Sequence, residues 1–293
     1  MEEVQRHVSS GYRVETAADN AAYWSIATTM RSDVNGLNAV KDALGLGNAI
    51  ADIAYTGVSN TIKLADQIKQ KLIAAREPGV DRSKIQSDIA ALQGQLRSTV
   101  DASSMSGQNW LKIDSTAGTD ITKEIVASLS KDASNVLSVG KMTVSLYTAS
   151  TGATMGLIDS NTTASAKAGI LDKQRTMASG ATYDILSLDI KAFTDSAADL
   201  GDLDSMISGV DSSIMSMTAS ATDLGGLKAR ISLQSNFIKD LTTAIDQGIS
   251  ELVDADMNEE STRLQALQTK QSIGIQALSI ANSSAQSLLR LFQ

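Results

Sequence analysis

The stretch LDSMISGVDSSIMSMTASATDLGGLKARISLQSNFIKDLTTAIDQGISEL, Leu203 to Leu252, carries an apolar residue at every seventh position: Leu203, Val210, Met217, Leu224, Ile231, Ile238, Ile245 and Leu252. Met206, Leu227 and Leu241 stand among the partner positions that a heptad also needs. Two turns of helix bring each seventh residue back to one side, so a repeat sustained this long predicts a coiled-coil seam. At about 1.5 Å per residue the helix is roughly 75 Å long, and it can bury its stripe only against other long helices.

Those partners lie before residue 105. Val4 and Val8 are one turn apart, Gly11 stands where a left-handed residue closes a helix, and Arg13 is read as lying close to that helix's negative end. Thr16 and Asp19 fit a capping box, after which Ala18, Ala21, Ala22, Ile26 and Met30 give an apolar stripe. The helical pattern runs on to about residue 75 through Ile50, Ile53, Val58, Ile62, Leu64, Ile68 and Leu72, and REPGVD (76–81) breaks it. A further helix is predicted from about Ser83 to Ala102, with Ile85, Ile89, Leu92, Leu96 and Val100 on one face.

From about Trp110 the period changes. Ile125, Ala127 and Leu129, then Met142, Val144 and Leu146, and later Leu186, Leu188 and Ile190 alternate with polar residues, which predicts strands. Between them Tyr147–Gly169 is rich in Thr, Ser, Ala and Gly and suits surface loops or a small irregular domain. After LVDADMNEEST (252–262) a new stripe begins with Leu264, Leu267, Ile275, Leu278, Ala281, Leu288 and Phe292. An isolated amphipathic helix is marginal in water, so Leu264, Leu267, Ile275, Leu278, Leu288 and Phe292 are expected to act between molecules, as an assembly helix. The fold expected is mainly α: an elongated rod of long antiparallel or coiled-coil helices with a small β-containing central domain.

Composition narrows the function. Aromatic residues make up 3% of the chain and proline occurs once, which favours long helices packed through small and aliphatic side chains. A net charge of -8 and a pI near 4.7 disfavour nucleic acid as a partner. No cysteine is present, which excludes disulfides, thiolate metal sites and cysteine nucleophiles. No apolar run is long enough to cross a membrane, so no membrane insertion is expected.

Candidate chemistry is sparse. His7 is the sole histidine, so neither a two-histidine zinc site nor a histidine-based triad can be built, and it reads as a solvated helix residue. Glu259 with Glu260, and Asp199, Asp202 and Asp204, could in principle serve acid-base work or a hard cation. They lack the spacing of a calcium loop and read as solvated charge. Gly45, Gly47, Gly225 and Gly226 lie in helical patterns without a phosphate-loop lysine, which suggests close helix approach or local bending. Asn161 and Asn282 begin glycosylation-type triplets of a kind that arises by chance.

SSGYRVETAADNAAYWSIATTMRSD (9–33), MSGQNWL (105–111) and the C-terminal segment from LVDADMNEEST to LLRLFQ (252–293) resemble a bacterial flagellin of the alphaproteobacterial type. The resemblance covers about residues 1–115 and 185–293. It implies a filament subunit assembled through terminal helices, with 1–10 and 253–293 as a remnant of the filament-core domain, 11–116 and 195–252 as a helical rod, and 117–194 as a variable outward-facing domain. It also implies export through the flagellar type III channel to the extracellular flagellum or cell surface, with no catalytic role and no cofactor or metal. The implied partners are other flagellin subunits, an export chaperone, and hook-associated and cap proteins, with a surface glycan as a further ligand. Two alternatives remain, a flagellin-related surface protein that binds polysaccharide and a hook-filament junction protein. The sparse aromatics of the centre, Tyr147, Tyr183 and Phe193, weigh against the first. Flagellins carry roughly two to three dozen residues before the first motif, where only MEEVQRHV stands here, and a shortened N-terminal helix is the expectation.

Overall fold

The structure, a computed structural model, describes residues 1–131, 136–150, 152–163 and 166–291, with residue 153 and residues 282–291 as backbone only. Its helices are α1 (Glu2–Ser10), α2 (Ala21–Ala75), α3 (Arg82–Ala102), α4 (Ala197–Val253) and α5 (Met257–Leu291). Between α3 and α4 lie β1 (Ser104–Met105), β2 (Gln108–Asn109), β3 (Lys112–Ile113), β4 (Ile121–Lys131), β5 (Leu137–Thr148), β6 (Gly152–Ala153), β7 (Ile158–Asp159), β8 (Arg175–Thr176) and β9 (Thr182–Tyr183). The chain divides into two compact units, residues 1–38 with 239–293, and residues 39–238.

In the first unit, α1 stops at Gly11, whose φ of 77° lets its N–H return to the His7 carbonyl. Arg13 does not serve that helix: it reaches the carbonyls of Glu251 and Leu252, and so caps the negative end of α4. The backbone follows, with Arg13 and Val14 N–H donating to Val253 O and Ala255 N–H to Gly11 O. The expected capping box is also displaced. Asp19 Oδ2 accepts from Thr16 N–H at 2.9 Å and Thr16 Oγ1 at 3.0 Å, closing a turn, whereas the start of α2 is capped by Asn20 Oδ1 on Ala22 and Tyr23 N–H. The stripe expected on Ala18, Ala21, Ala22 and Ile26 is exposed. The buried cluster is Val14, Ala27, Val34, Ile249 and Val253, with Met30, Ile245 and Leu252 against it.

In the second unit, α2 and α4 run antiparallel. Asp52 pairs with Lys228, Lys69 with Asp211 at 2.5 Å and Arg76 with Asp204 at 2.6 Å, so each step up α2 matches an equal step down α4. The buried face of α2 is Ala51, Ala54, Val58, Thr61, Ala65, Ile68, Leu72 and Ala75, spaced alternately by three and four. Much of this seam is small, which lets the backbones approach. Gly47 shows the same economy of space, since a Cβ there would stand 2.7 Å from the Ile125 side chain. Gly45, Gly225 and Gly226 meet nothing within 4 Å, so close approach explains only Gly47, and there the neighbour is a strand residue rather than a helix.

The strands β4 and β5 form an antiparallel hairpin in which Ile125, Met142, Val144 and Leu146 point inward, as period-two burial requires. Leu186, Leu188 and Ile190 are buried but form no strand. Their backbone is served by α3: Gln93 Nε2 donates to the Ile185 and Leu188 carbonyls, Arg97 to Leu186 O, and Ile190 N–H donates to Gln86 Oε1. Helix side chains replace the ladder a neighbouring strand would give.

The described part of Tyr147–Gly169 is organised around two carboxylates, Asp159 within it and Asp172 just after it. Asp159 accepts from Ser115 N–H and Asn161 N–H at 3.0 Å, from Ala168 N–H at 2.9 Å, and from Ser115 Oγ. Asn161 Nδ2 is itself committed to Ser115 Oγ at 3.2 Å. Asp172 is 1% exposed and its Oδ1 has no hydrogen-bond partner. Burial pushes its pKa up to about 6, against the Asp159 N–H donated to it and the attraction of Lys167. A raised carboxyl stabilises the fold fully below its unfolded value near 4 and loses that contribution as pH rises through 6. Asp172→Asn is therefore expected to gain thermal stability relative to the parent between pH 4.5 and pH 7.5, read as the difference between their melting temperatures at the two ends.

Candidate assembly surface

The heptad residues of α4 fall on one side. Leu203, Val210, Met217, Leu224, Ile231 and Ile238 are buried, and Ile245 and Leu252 are half-buried. Of their partner positions Met206 and Leu227 are buried, whereas Leu241 is exposed. Met215 lies two residues from Met217 on the outward face at 62% exposure. Met217→Ala is expected to cost about 2–5 kcal/mol in urea unfolding and Met215→Ala less than about 0.5, because only the first leaves a cavity.

The first turns of α5 have a partner in α1. Gly11 O meets Ala255 N–H and, farther back along α1, His7 Nδ1 meets Glu260 Oε1 at 3.3 Å, so the two helices run antiparallel. His7 and Glu260 are 8% and 9% exposed, so the expectation that they are solvated is incorrect. Packing encloses this pair, and Glu260 Oε2 has no hydrogen-bond partner. Asp202 is likewise enclosed, accepting the Ser179 N–H at 2.8 Å. Asp199 accepts from Thr194 N–H and Oγ1, and Asp204 pairs with Arg76, so none of the three carboxylates is held for a shared ligand. Among the described residues no group of three or more His, Cys, Asp or Glu side chains could hold a metal ion.

Leu264 and Leu267 are half-buried, but every residue from 271 to 281 is exposed. Ile275 and Leu278 are 62% and 66% exposed. They share a face with Leu264 and Leu267, whereas Ile273 and Ile280, at 60% and 67% exposure, lie on the opposite side. The second face was not anticipated from sequence; its signal is the seven-residue step from Ile273 to Ile280 with Ala277 between them. A helix that is apolar on two sides is suited to burial between neighbours rather than to lying on one surface. The side chain of Leu288 is not described, and Phe292 lies outside the described residues. Near the start of α2, Tyr23, Trp24 and Ile26 add a further exposed apolar patch at 42%, 37% and 48%.

No helix among the described residues is long and apolar enough to cross a membrane. Residues 1–116 match the bacterial flagellin N-terminal helical region and residues 207–292 the bacterial flagellin C-terminal helical region. Similar proteins include Flagellin C of Rhizobium meliloti (strain 1021), 45% identical over 304 aligned residues that cover 100% of this chain and 92% of the relative. Flagellin B of Rhizobium meliloti is 41% identical over 373, covering 100% and 94%. A flagellin of Brucella melitensis biotype 1 is 36% identical over 294, covering 100% and 92%. Two terminal helical regions flanking a strand-bearing centre, matched along the whole chain, leave one assignment: this chain belongs to the bacterial flagellin family of the alphaproteobacterial type, structural subunits of the extracellular flagellar filament that polymerise with one another.

Proposed function

We propose that subunits join through α5, with Leu264, Leu267, Ile275, Leu278, Leu288 and Phe292 as one contact face. The observation that carries this reading is the exposure of four large aliphatic side chains, at 60–67%, on an otherwise solvent-facing helix. Burying such a side chain fully contributes about 1.5–3 kcal/mol, so assembly would supply the stability that α5 lacks alone. The heptad from Leu203 to Leu252 then serves to hold the rod within each subunit. Residues 1–10 and 253–293 are assigned to the filament core, 11–116 and 195–252 to the rod, and 117–194 to an outward-facing domain. Hydrogen exchange tests this: amides of residues 271–281 should exchange fast in free subunits and at least a hundredfold more slowly in filaments, whereas unchanged exchange contradicts it.

We infer that the chain performs no catalysis. Its one histidine is paired with Glu260, cysteine is absent, and Asp199 and Asp204 are committed to neighbours. Secretion through the flagellar export channel, with a chaperone that covers α5 before assembly, fits the exposed aliphatics. Hook-associated and cap proteins are proposed to meet the same helix at the two ends of the filament, and a surface glycan to meet the outward segment. The readings as a polysaccharide-binding surface protein or as a hook-filament junction protein are not favoured by the flagellin relatives along the full chain.

A further inference from the structure

An opening of about 430 Å³ in the second unit is lined by Lys167, Lys173 and Arg175 on the central segment and by Ser212 and Ser216 on α4, with Gly152 at its edge. Among the described residues no acidic side chain lines it, although the chain as a whole carries -8. Arg175 is fixed in place: its Nη1 donates to Lys173 O at 3.2 Å, and its Nη2 to Ile170 O at 3.1 Å and Ser213 Oγ at 2.5 Å. The α4 backbone closes on it, since a Cβ at Gly209 would stand 2.9 Å from Arg175 Cδ. Among the described residues no carboxylate is within ion-pair distance of Arg175 or Lys173, and Lys167 reaches Asp172 only at 3.8 Å. Burial pushes the Arg175 guanidinium down from its ordinary value, and attraction from Tyr183 and Asp184 only partly opposes this.

A partly buried guanidinium held by neutral acceptors has no ion-pair partner among the described residues, only the more distant attraction of Asp184, and two lysines beside it deepen the deficit. We propose that this opening binds an oxyanion, the carboxylate, sulfate or phosphate group of a ligand no larger than a sugar unit. Arg175 is held in place by its bonds to Lys173 O, Ile170 O and Ser213 Oγ, so it acts on an anion mainly through its fixed charge, to which the two lysine ammonium groups add; the Ser216 hydroxyl is already donated to Ser212 O. The size is that of a small-molecule site, and the binding does not depend on polymerisation.

Titration calorimetry on the full chain at constant ionic strength tests this with inorganic phosphate, glucuronate and glucose as probes. Saturable binding of phosphate or glucuronate, with none of glucose, is expected. It should weaken at least tenfold in Lys167→Gln/Lys173→Gln and persist in Lys71→Gln/Lys84→Gln, which removes the same charge elsewhere. Tighter binding of glucuronate than of phosphate identifies an acidic sugar as the ligand, and the reverse a free inorganic anion. Absence of saturable binding by both anions, equal binding of glucose, or undiminished binding in the first variant overturns the proposal.

Discussion

Replacing Ile275 and Leu278 together by aspartate is expected to abolish filament formation while leaving the free subunit's thermal unfolding unchanged. Both side chains are more than three-fifths exposed in the free chain, so the charges cost little there beyond the lower helix propensity of aspartate. In a filament that buries this face, the same substitutions lose about 3–6 kcal/mol of apolar burial per subunit and add the cost of enclosing two carboxylates. At about 1.4 kcal/mol per factor of ten, the critical concentration should rise at least a hundredfold, beyond any practical range. Ile275→Val with Leu278→Met keeps the face apolar and should assemble within about tenfold of the parent. Sedimentation and electron microscopy of the protein produced from its own gene read both outcomes. Normal filaments from the aspartate variant would remove α5 from the contact.

The second large effect concerns the central segment. Asp159 is 2% exposed and holds Ser115, Asn161 and Ala168 together through three N–H groups and a hydroxyl. Asp159→Ala leaves the three N–H donors without an acceptor in a site that water enters poorly, and leaves the Ser115 hydroxyl only the long contact to Ala166 O at 3.5 Å. Each orphaned donor costs about 1–3 kcal/mol, and because they share one cavity the total is expected near 3–5 kcal/mol rather than the full sum. Burial works against the charge of Asp159, but the donors from Ser115, Ala168 and Asn161 together outweigh it and hold its carboxyl below the usual carboxylate range. Its contribution is therefore present above about pH 4 and is lost as pH falls through the lowered value. Urea unfolding at pH 7 should show the deficit, and it should narrow in strong acid. Equal midpoints for parent and variant at pH 7 would show that the network is not what orders this segment.

The long helices were legible because hydrophobic spacing records which side is buried. The seven-residue step of α4 needed only Leu, Val, Met and Ile to be seen. The matching face of α2 was half hidden, since Ala51, Ala54, Thr61 and Ala65 are buried for their small volume and carry little hydrophobic signal. At the start of α2 the same weakness misled: Ala18, Ala21 and Ala22 fit a stripe on paper, but Ala27 and Val34 turn inward. Leu186, Leu188 and Ile190 show a different limit. Alternation reports burial on one side, and a backbone served by Gln86, Gln93 and Arg97 gives the same alternation as a strand. His7 could not be placed from its neighbours, because the residue that encloses it with a hydrogen bond is 253 positions away. The assembly face was readable as a stripe on α5, whereas its second side depended on seeing how exposed the side chains of Ile273 and Ile280 are.

The central claim is that residues 271–281 of α5 are exposed in the subunit and covered in the filament. The chain has no cysteine, so a single Leu278→Cys substitution gives one reactive site whose maleimide labelling rate can be compared in the two states. Fast labelling of free subunits and at least a hundredfold slower labelling of filaments is the result expected. Equal rates in both states would contradict the account and place the subunit contact elsewhere.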